Sequence, residues 1–212
     1  MIGDPLGDAA RWVRDGGLLA YPTETVWGLG ADAGSEEAVK RLRDWKQRGE
    51  NAPLSILVED AHRLEALGFE VGAAVRRLVS EFWPGPLTLV LACRRRFASG
   101  VARDDGAVGV RCSLHPLAAA LARRLANEGV GPITSTSLNP SGAPAVRTRR
   151  EACACCDDVP TAPRMIDVEG AEAGGHPAST VLDLSGARPE VLRWGGLLER
   201  VLAPVLAQIA AP

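Results

Sequence analysis

The chain has 212 residues, 46% of them hydrophobic, with 24 basic and 26 acidic side chains and a net charge of −2. This is enough apolar material for one large core or two small ones, and the near-neutral charge argues against nucleic acid as the main ligand. No apolar run approaches the roughly 20 residues of a membrane span, and the start of the chain is unlike a signal peptide. Five cysteines, an odd number, favour a reducing, cytoplasmic setting over a disulfide framework.

Helix and strand patterns alternate along the first two thirds of the chain. The pattern predicts helices over 8–14, 36–49, 71–83 and 117–129, and strands over 18–21, 53–58, 87–93, 107–112 and 132–137. Ser35 is the expected N-cap of the second helix, and His115-Pro116 opens the fourth.

The last third is richer in strands. Thr148 is expected to cap a helix across the cysteine cluster, strands follow at 164–168, 179–184 and 189–194, and a terminal helix at 197–210 is broken or kinked at Pro204. No repeat or linker interrupts the order. The sequence therefore predicts one α/β domain over residues 1–212, with its core at about 8–195.

The segment Pro-Thr-Glu-Thr ends the first predicted strand and is followed by Gly28 and Gly30. Hydroxyls and a carboxylate at a strand end, next to backbone that a ligand can approach closely, indicate the wall of a binding site. Gly28 to Ala33 also matches G-x-G-x-x-A, but a dinucleotide fold needs these glycines to open a helix directly. Here the next helix starts only after Ser35, which disfavours that alternative.

Two cations, Lys46 and Arg48, lie where the second helix ends. They either stabilise the helix C-terminus as favourable charges or form a clamp for a polyphosphate, and their spacing alone does not decide between these roles.

Polar residues also end later strands. Ser135, Ser137 and Asn139 lie at the end of one strand and Ser179 at the start of another, while Arg111 and Arg193 lie near the ends of two more. Such segments are common in solvated turns, but their recurrence favours a shared polar pocket.

The three clustered cysteines, Cys153, Cys155 and Cys156, contain one C-x-x-C pair. A structural zinc site needs further ligands, and His176 is the only histidine after the cluster. This disfavours a zinc site and favours the alternative, small apolar residues on a helix.

Seven segments, taken in order, resemble the threonylcarbamoyl-AMP synthases, the YrdC-like family. They are YPTETVWGLGADA, KQRGENAPL, FWPGPLTLVL, VGVRCSLHP, STSLNPSG, PAST and EVLRWG. The resemblance extends from about Asp8 to Gly195 and fits the short, single-domain form. It implies a twisted mixed parallel and antiparallel sheet, flanked by helices, with a concave ligand pocket.

The resemblance also implies an activity. A member condenses L-threonine, bicarbonate or CO2, and ATP to threonylcarbamoyl-AMP and pyrophosphate, the first step of modifying adenosine 37 of certain tRNAs. Mg²⁺ is expected to enter with ATP rather than in a protein cage. A downstream tRNA threonylcarbamoyl transferase complex is the expected acceptor, and weak binding of duplex RNA or tRNA is a further expectation.

The family's K-x-R and S-x-N signature falls on four residues expected to be catalytic and to hold ATP. These are Lys46, Arg48, Ser137 and Asn139. Arg111 and Arg193 match further nucleotide-side positions. Thr25, Ser135 and Ser179 match positions at the threonine end.

Several residues depart from the family pattern. Gly49 stands where a proline is usual, Trp27 replaces a tyrosine, and Leu57 replaces a histidine that contacts threonine in some members. Gly49 and the segment 139–148 are candidates for a closing loop. Glu24 is expected either to help deprotonate the threonine amine or to accept backbone hydrogen bonds in its turn.

Two other functions are compatible with such a fold. One is a non-catalytic RNA-binding or ribosome-maturation module, with Arg94–Arg96 and Arg147, Arg149 and Arg150 as a basic face. The other is the carbamoyl-adenylate step of hydrogenase maturation, which normally belongs to a much longer chain.

Overall fold

The computed structural model describes residues 3–49, 52–157 and 161–209. The ends of the predicted domain, residues 1–2 and 210–212, lie outside the described residues. The described residues form one α/β domain with a mixed sheet, which confirms the predicted fold class.

The described part contains seven helices and nine strands. The helices are α1 (Pro5–Arg14), α2 (Glu36–Lys46), α3 (Arg63–Ala66), α4 (Ala73–Phe82), α5 (Pro116–Asn127), α6 (Arg149–Ala154) and α7 (Glu199–Ile209). The strands are β1 (Leu19–Pro22), β2 (Trp27–Gly30), β3 (Ser55–Val58), β4 (Leu87–Ala92), β5 (Ala107–Cys112), β6 (Ile133–Ser137), β7 (Arg164–Met165), β8 (Thr180–Asp183) and β9 (Glu190–Arg193).

The strands form one sheet in the order β7-β1-β2-β6-β3-β5-β4-β8-β9. Three neighbouring pairs are parallel, β1 with β7, β3 with β5 and β4 with β8, and the other pairs are antiparallel. The order mixes crossover connections with hairpins, as expected of a mixed sheet.

The two faces of the sheet are covered differently. Alternate residues such as Leu87, Leu89 and Leu91 of β4 join a large core that includes residues of α2, α4 and α7. On the opposite face, a smaller core packs β1, β3 and β6 against α1 and α5. Because side chains alternate along a strand, Thr88 and Val90 point away from the large core. They lie on a part of the second face that α1 and α5 do not cover.

Helix starts follow the predicted capping chemistry. The Ser35 hydroxyl accepts a hydrogen bond from the Ala38 amide, and Thr148 forms a capping box with Glu151. His115 caps α5 by accepting a hydrogen bond from the Leu117 amide. The helix across the cysteines is nevertheless short and ends at Ala154.

Three details differ from the sequence predictions. Residues 27–30, where no strand was predicted, form β2 between β1 and β6, and α3 was not predicted either. Because Gly28 and Gly30 lie within a strand and open no helix, the dinucleotide alternative is wrong. Helix α7 continues across Pro204 rather than breaking there.

Candidate active site

The uncovered part of the second sheet face is a cavity of about 480 Å³. Its floor is formed by outward-facing residues of β4, β5 and β6, and its walls by the turn after β1, the segment after α2 and strands β8 and β9. Seven of the nine predicted site residues border it: Thr25, Arg48, Arg111, Ser135, Ser137, Ser179 and Arg193. Segments far apart in sequence therefore meet in one hollow.

The turn between β1 and β2 is held by Thr23. Its hydroxyl donates to the Val26 carbonyl at 2.7 Å and accepts from the Thr25 and Val26 amides, both at 3.2 Å. The hydroxyls of Thr23 and Thr25 lie 2.9 Å apart. This is a serine/threonine turn, and it fixes Thr25 at the cavity wall.

The Glu24 carboxylate forms a buried ion pair. It accepts a hydrogen bond from the Arg111 guanidinium at 2.5 Å and another from the Ser113 hydroxyl. Both members of the ion pair are nearly buried. Among the described residues, the Glu24 carboxylate accepts no hydrogen bond from the backbone of its turn. Its contact with Arg111 favours a role in orienting that guanidinium.

Ser179 and Arg193 face each other across β8 and β9. Arg193 donates to the Ser179 carbonyl through Nη2 at 2.9 Å and through Nε at 3.2 Å. The Ser179 hydroxyl lies 2.8 Å from that of Thr88 on the adjacent strand β4. These contacts leave the polar groups of three strands side by side at the cavity.

Arg48 enters the cavity from the segment after α2. It donates to the Ala52 carbonyl at 3.0 Å and the Pro53 carbonyl at 2.9 Å. Within residues 3–49, 52–157 and 161–209, neither Arg48 nor Arg193 forms an ion pair with a carboxylate.

The pKa values of these two arginines reflect the missing counter-charge. Burial lowers the pKa of Arg48, and the charges of Arg43 and Arg193 lower it further. Burial and the nearby Arg111 lower the pKa of Arg193. Two partly buried cations without anionic partners favour the binding of an anion between them.

Lys46 and Asn139 do not border the cavity. The Lys46 ammonium donates to the carbonyls of Ser137 at 2.5 Å and Asn139 at 2.6 Å, and burial lowers its pKa to about 8. The Asn139 amide donates to the carbonyls of Pro140 and Ala143. In this arrangement both residues brace the end of β6, next to Ser137.

Sequence reasoning missed three polar residues that line the same cavity: Ser55, Thr88 and Arg103. Thr88 had a signal, because it is the only polar residue in an otherwise apolar strand. Arg103 lies in a turn before β5 and carried no such signal. Among the departures noted above, Trp27 and Leu57 pack in the two cores rather than in the cavity.

The other candidate groups do not converge. In the described part of the chain, no three His, Cys, Asp or Glu side chains are arranged to hold a metal ion. The five cysteines are free thiols. Arg147 and Arg149 donate to backbone carbonyls, while Arg94 is largely exposed near Glu70. No described helix has the length and apolar content to cross a bilayer.

Fold and cavity together define a class: a single α/β domain with a cationic, hydroxyl-lined pocket on one sheet face. Residues 11–195 match the sequence model of the Sua5/YciO/YrdC family, described as "Telomere recombination". The chain belongs to this family.

Several relatives carry the name threonylcarbamoyl-AMP synthase. A putative one from Mycobacterium tuberculosis is 34% identical over 199 residues, covering 94% of this chain and 88% of that protein. The enzyme from Bacillus subtilis is 36% identical over 209 residues, covering 97% of this chain and 58% of that protein.

Solved structures agree. Pyrococcus abyssi Sua5 complexed with L-threonine superposes with a TM-score of 0.83 at 36% identity, over 94% of this chain and 56% of that one. Escherichia coli YciO, at 24% identity and a TM-score of 0.76, shares the fold. The chain thus spans somewhat over half the length of its Sua5 and B. subtilis relatives.

Proposed function

We propose that this protein is a nucleotidyltransferase that forms threonylcarbamoyl-AMP and pyrophosphate from L-threonine, bicarbonate or CO2, and ATP. One observation carries the proposal: two arginines without anionic partners share a cavity with a cluster of hydroxyls. A triphosphate supplies the missing negative charge, and an amino acid suits the hydroxyl-lined end. Relatives named for this activity, one solved with L-threonine, support the same reading.

The hydroxyl end is assigned to threonine. Thr25, Ser135 and Ser179 border it, and the Glu24–Arg111 pair lies beside it. A hydroxyl can accept a hydrogen bond from an ammonium group and donate one to a carboxylate, so hydroxyls suit both charged groups of an amino acid. Arg111, predicted from the family resemblance to lie on the nucleotide side, is assigned to the junction between the nucleotide and threonine ends, where the buried Glu24 holds its guanidinium in one orientation.

The arginine side is assigned to ATP. Once the carbamate oxygen attacks the α-phosphorus, charge builds on phosphorus and on the departing pyrophosphate. Arg48, Arg193 and Ser137 border the cavity, and they are assigned to stabilising that charge. Preorganised groups of this kind act without reorganisation during the reaction.

Lys46 and Asn139 hydrogen-bond to the backbone at and after the end of β6. They are proposed to contribute to ATP binding by keeping this segment, which carries Ser137, in position. Mg²⁺ is proposed to arrive with ATP, held by phosphate oxygens, and it would offset their charge. The carbamate and the mixed anhydride are both hydrolysed readily, so closure by residues 49 and 139–148 is proposed to exclude water.

The product is proposed to pass to a downstream tRNA threonylcarbamoyl transferase complex in the cytoplasm. Direct binding of duplex RNA or tRNA, through Arg94–Arg96, stays a prediction.

The test is pyrophosphate release by the purified protein. Release should require L-threonine, bicarbonate and ATP together, and L-serine should support it less well. Arg48→Ala should lower the rate about 10²- to 10³-fold, the scale of losing one preorganised donor. Release that is independent of threonine, or an Arg48→Ala variant at the wild-type rate, would contradict the proposal or its site.

A further inference from the structure

A second pocket, the edge pocket, lies at the end of the sheet formed by β7. It measures about 370 Å³ and is bordered by residues around the end of α6 and strand β7. These are Cys153, Cys156, Asp157, Arg164, Met165 and Asp167. None of these six residues borders the cavity proposed to hold ATP, so the edge pocket needs an explanation of its own.

Backbone contacts hold the two segments of the edge pocket together. The Cys156 amide donates to the Cys153 carbonyl at 3.2 Å, which turns the chain after α6. The Asp157 amide then donates to the Pro163 carbonyl at 3.0 Å, just before β7. Strand β7 is itself held by its parallel pairing with β1. The cysteines and Met165 are therefore neighbours by construction of the backbone, although they belong to different elements.

The edge pocket brings together three sulfur atoms, those of Cys153, Cys156 and Met165, which form a sulfur cluster. The Sγ of Cys153 lies 3.7 Å from the Sδ of Met165. Burial raises the pKa of the Cys156 thiol to about 12, and the thiols of Cys155 and Cys153 contribute to the rise. The thiols of Cys153 and Cys156 are thus close enough to interact. Cys156 and Met165 are also half-buried against the large core.

The distance between the sulfur atoms suits two ligands of one metal ion. Sulfur ligands lie about 2.3 Å from such an ion, so two of them at tetrahedral or trigonal angles are about 3.8–4.0 Å apart. The 3.7 Å between Cys153 and Met165 needs little adjustment to reach this separation. A site of this kind binds its ion without a large movement of the backbone.

The ligand chemistry selects the ion. Among the residues that the structure describes, no three His, Cys, Asp or Glu side chains are placed to hold a metal, so the usual four-ligand set of Zn²⁺ is missing. Thiolate and thioether ligands together select the softer Cu(I). The two carboxylates and one guanidinium at the border, Asp157, Asp167 and Arg164, give the edge pocket a formal charge of −1, which favours a cation.

A redox role is less consistent with the same residues. Reactive cysteines have a lowered pKa, because the thiolate is the nucleophile, whereas the pKa of Cys156 is raised. A metal ion displaces the thiol proton that the protein environment retains. The buried thiol is therefore better suited to coordination than to thiol–disulfide exchange.

We infer that the sulfur cluster is a binding site for Cu(I), with Cys153 and Cys156 as thiolate ligands and Met165 as a thioether ligand. Each cysteine releases its thiol proton to solvent when it coordinates the ion, and the oxidation states of copper and sulfur do not change. The inference is independent of the proposed function, since it shares no residue with the cavity assigned to ATP and threonine.

The experiment titrates Cu(I) into the purified full chain without oxygen, in competition with the chromophoric chelator bicinchoninate. The absorbance of the chelator reports the Cu(I) that it retains. The variants are Cys153→Ser, Cys156→Ser and Met165→Leu, and the last one keeps the side-chain volume while removing the sulfur. Cys155→Ser is the matched control, because Cys155 lies between the two cysteine ligands in sequence but does not border the edge pocket.

Wild type and Cys155→Ser should bind one Cu(I) per chain with Kd values within twofold of each other. Cys153→Ser and Cys156→Ser should weaken binding by about 100-fold and Met165→Leu by about tenfold, the range that metal sites lose when a supporting group is removed. Thermal melts without copper establish that each variant is folded, and Met165→Leu decides the question if Cys156→Ser is not.

Three results would overturn the inference. One is an equal loss of affinity in Cys155→Ser and Cys153→Ser, which would mean that any thiol of the segment captures copper. Another is a folded Met165→Leu variant that binds Cu(I) as wild type does. The third is displacement of the Cu(I) by an equal concentration of Zn²⁺, which would assign the site to a different ion. Pyrophosphate release is measured separately and bears only on the proposed function.

Discussion

Lys46 is a buried cation whose ammonium donates to the carbonyls of Ser137 and Asn139. Burial lowers its pKa from 10.5 to about 8. Between these two pH values the unfolded chain holds a proton at Lys46 that the folded protein has released. The contribution of Lys46 to stability should therefore rise as the pH increases through this window.

This effect is measured as the difference in the free energy of unfolding between wild type and Lys46→Met, by urea denaturation at pH 7.5 and pH 10. Groups shared by the two proteins cancel in that difference. Lys40→Met is the control, because the ammonium of Lys40 is exposed and pairs with Asp44. A difference between wild type and Lys46→Met that does not grow with pH contradicts the prediction.

The buried pair of Glu24 and Arg111 should behave as a unit. Removing one charge leaves the other buried without compensation, so Glu24→Gln should lower the free energy of unfolding by about 3 kcal/mol. Replacing both residues with glutamine should cost at least about 1 kcal/mol less than the sum of the two single changes.

Urea denaturation of the two single variants and the double variant measures this coupling. Additive effects would show that the ion pair contributes little. Loss of threonine binding in a folded Arg111→Gln variant would support the proposed place of Arg111 at the junction of the nucleotide and threonine ends.

Strand β2 depends on glycine. A Cβ at Gly30 would lie 2.4 Å from the Ile133 side chain and 2.7 Å from the Thr134 carbonyl oxygen on β6. Gly30→Ala should therefore push β2 and β6 apart and lower the free energy of unfolding by about 1–3 kcal/mol. Gly49→Ala is the control, because no atom of the described residues lies within 4 Å of its added Cβ, and its effect should stay within about 0.5 kcal/mol. Equal stability of the two variants in urea denaturation would contradict the close packing described here.

The same strand shows where sequence reasoning fails. A pattern of two glycines, a tryptophan and a leucine lacks the alternation of apolar and polar residues and the β-branched residues that mark a strand. Residues 27–30 form β2 because β1 and β6 supply partners on both sides, and the sequence around β2 does not reveal that pairing. Helices with local signals, such as Ser35 before α2 and Thr148 before α6, could be predicted because capping depends on residues within one turn.

The cavity could be predicted in part for a related reason. Thr25, Ser135 and Ser179 stand at strand ends, where polar residues in an apolar context signal a site, and all three border the cavity. The arrangement of charge could not be predicted, since it depends on contacts between distant residues. Glu24 pairs with Arg111 across 87 positions, and Arg103 with Asp183 across 80.

At the scale of the molecule, the uneven cover of the sheet creates the site. Helices α1 and α5 pack over β1, β3 and β6 on the second face and leave β4, β5 and β8 open beside them. A strand with a hydrophobic layer on one side and a ligand on the other needs different residues on its two faces. In β4, the leucines face the core, and Thr88 and Val90 between them face the cavity. The fold thus keeps a full core on one face while a polar hollow remains on the other.

The cavity contains two arginines, Arg48 and Arg193, whose positive charge is needed to bind ATP and is not needed for folding. For wild type, ATP at a hundredfold excess over its Kd should raise the Tm by about 5–10 °C. In Arg48→Met and Arg193→Met this rise should be largely lost. Without ATP, the free energy of unfolding should change by only about 1 kcal/mol, because relief from burying an unpaired cation offsets the lost hydrogen bonds to carbonyls.

Thermal melts with and without ATP and Mg²⁺ measure the first effect, and urea denaturation without ligand measures the second. Arg11→Met, which removes an exposed arginine paired with Asp8, should keep the full ATP-dependent rise. If Arg48→Met and Arg193→Met instead lose several kcal/mol without ligand and keep the ATP response, these arginines stabilise the fold and do not bind the nucleotide. Retained stability with a lost response is the signature of side chains positioned for an anionic substrate, since the fold is then sound and only the phosphate contacts are missing.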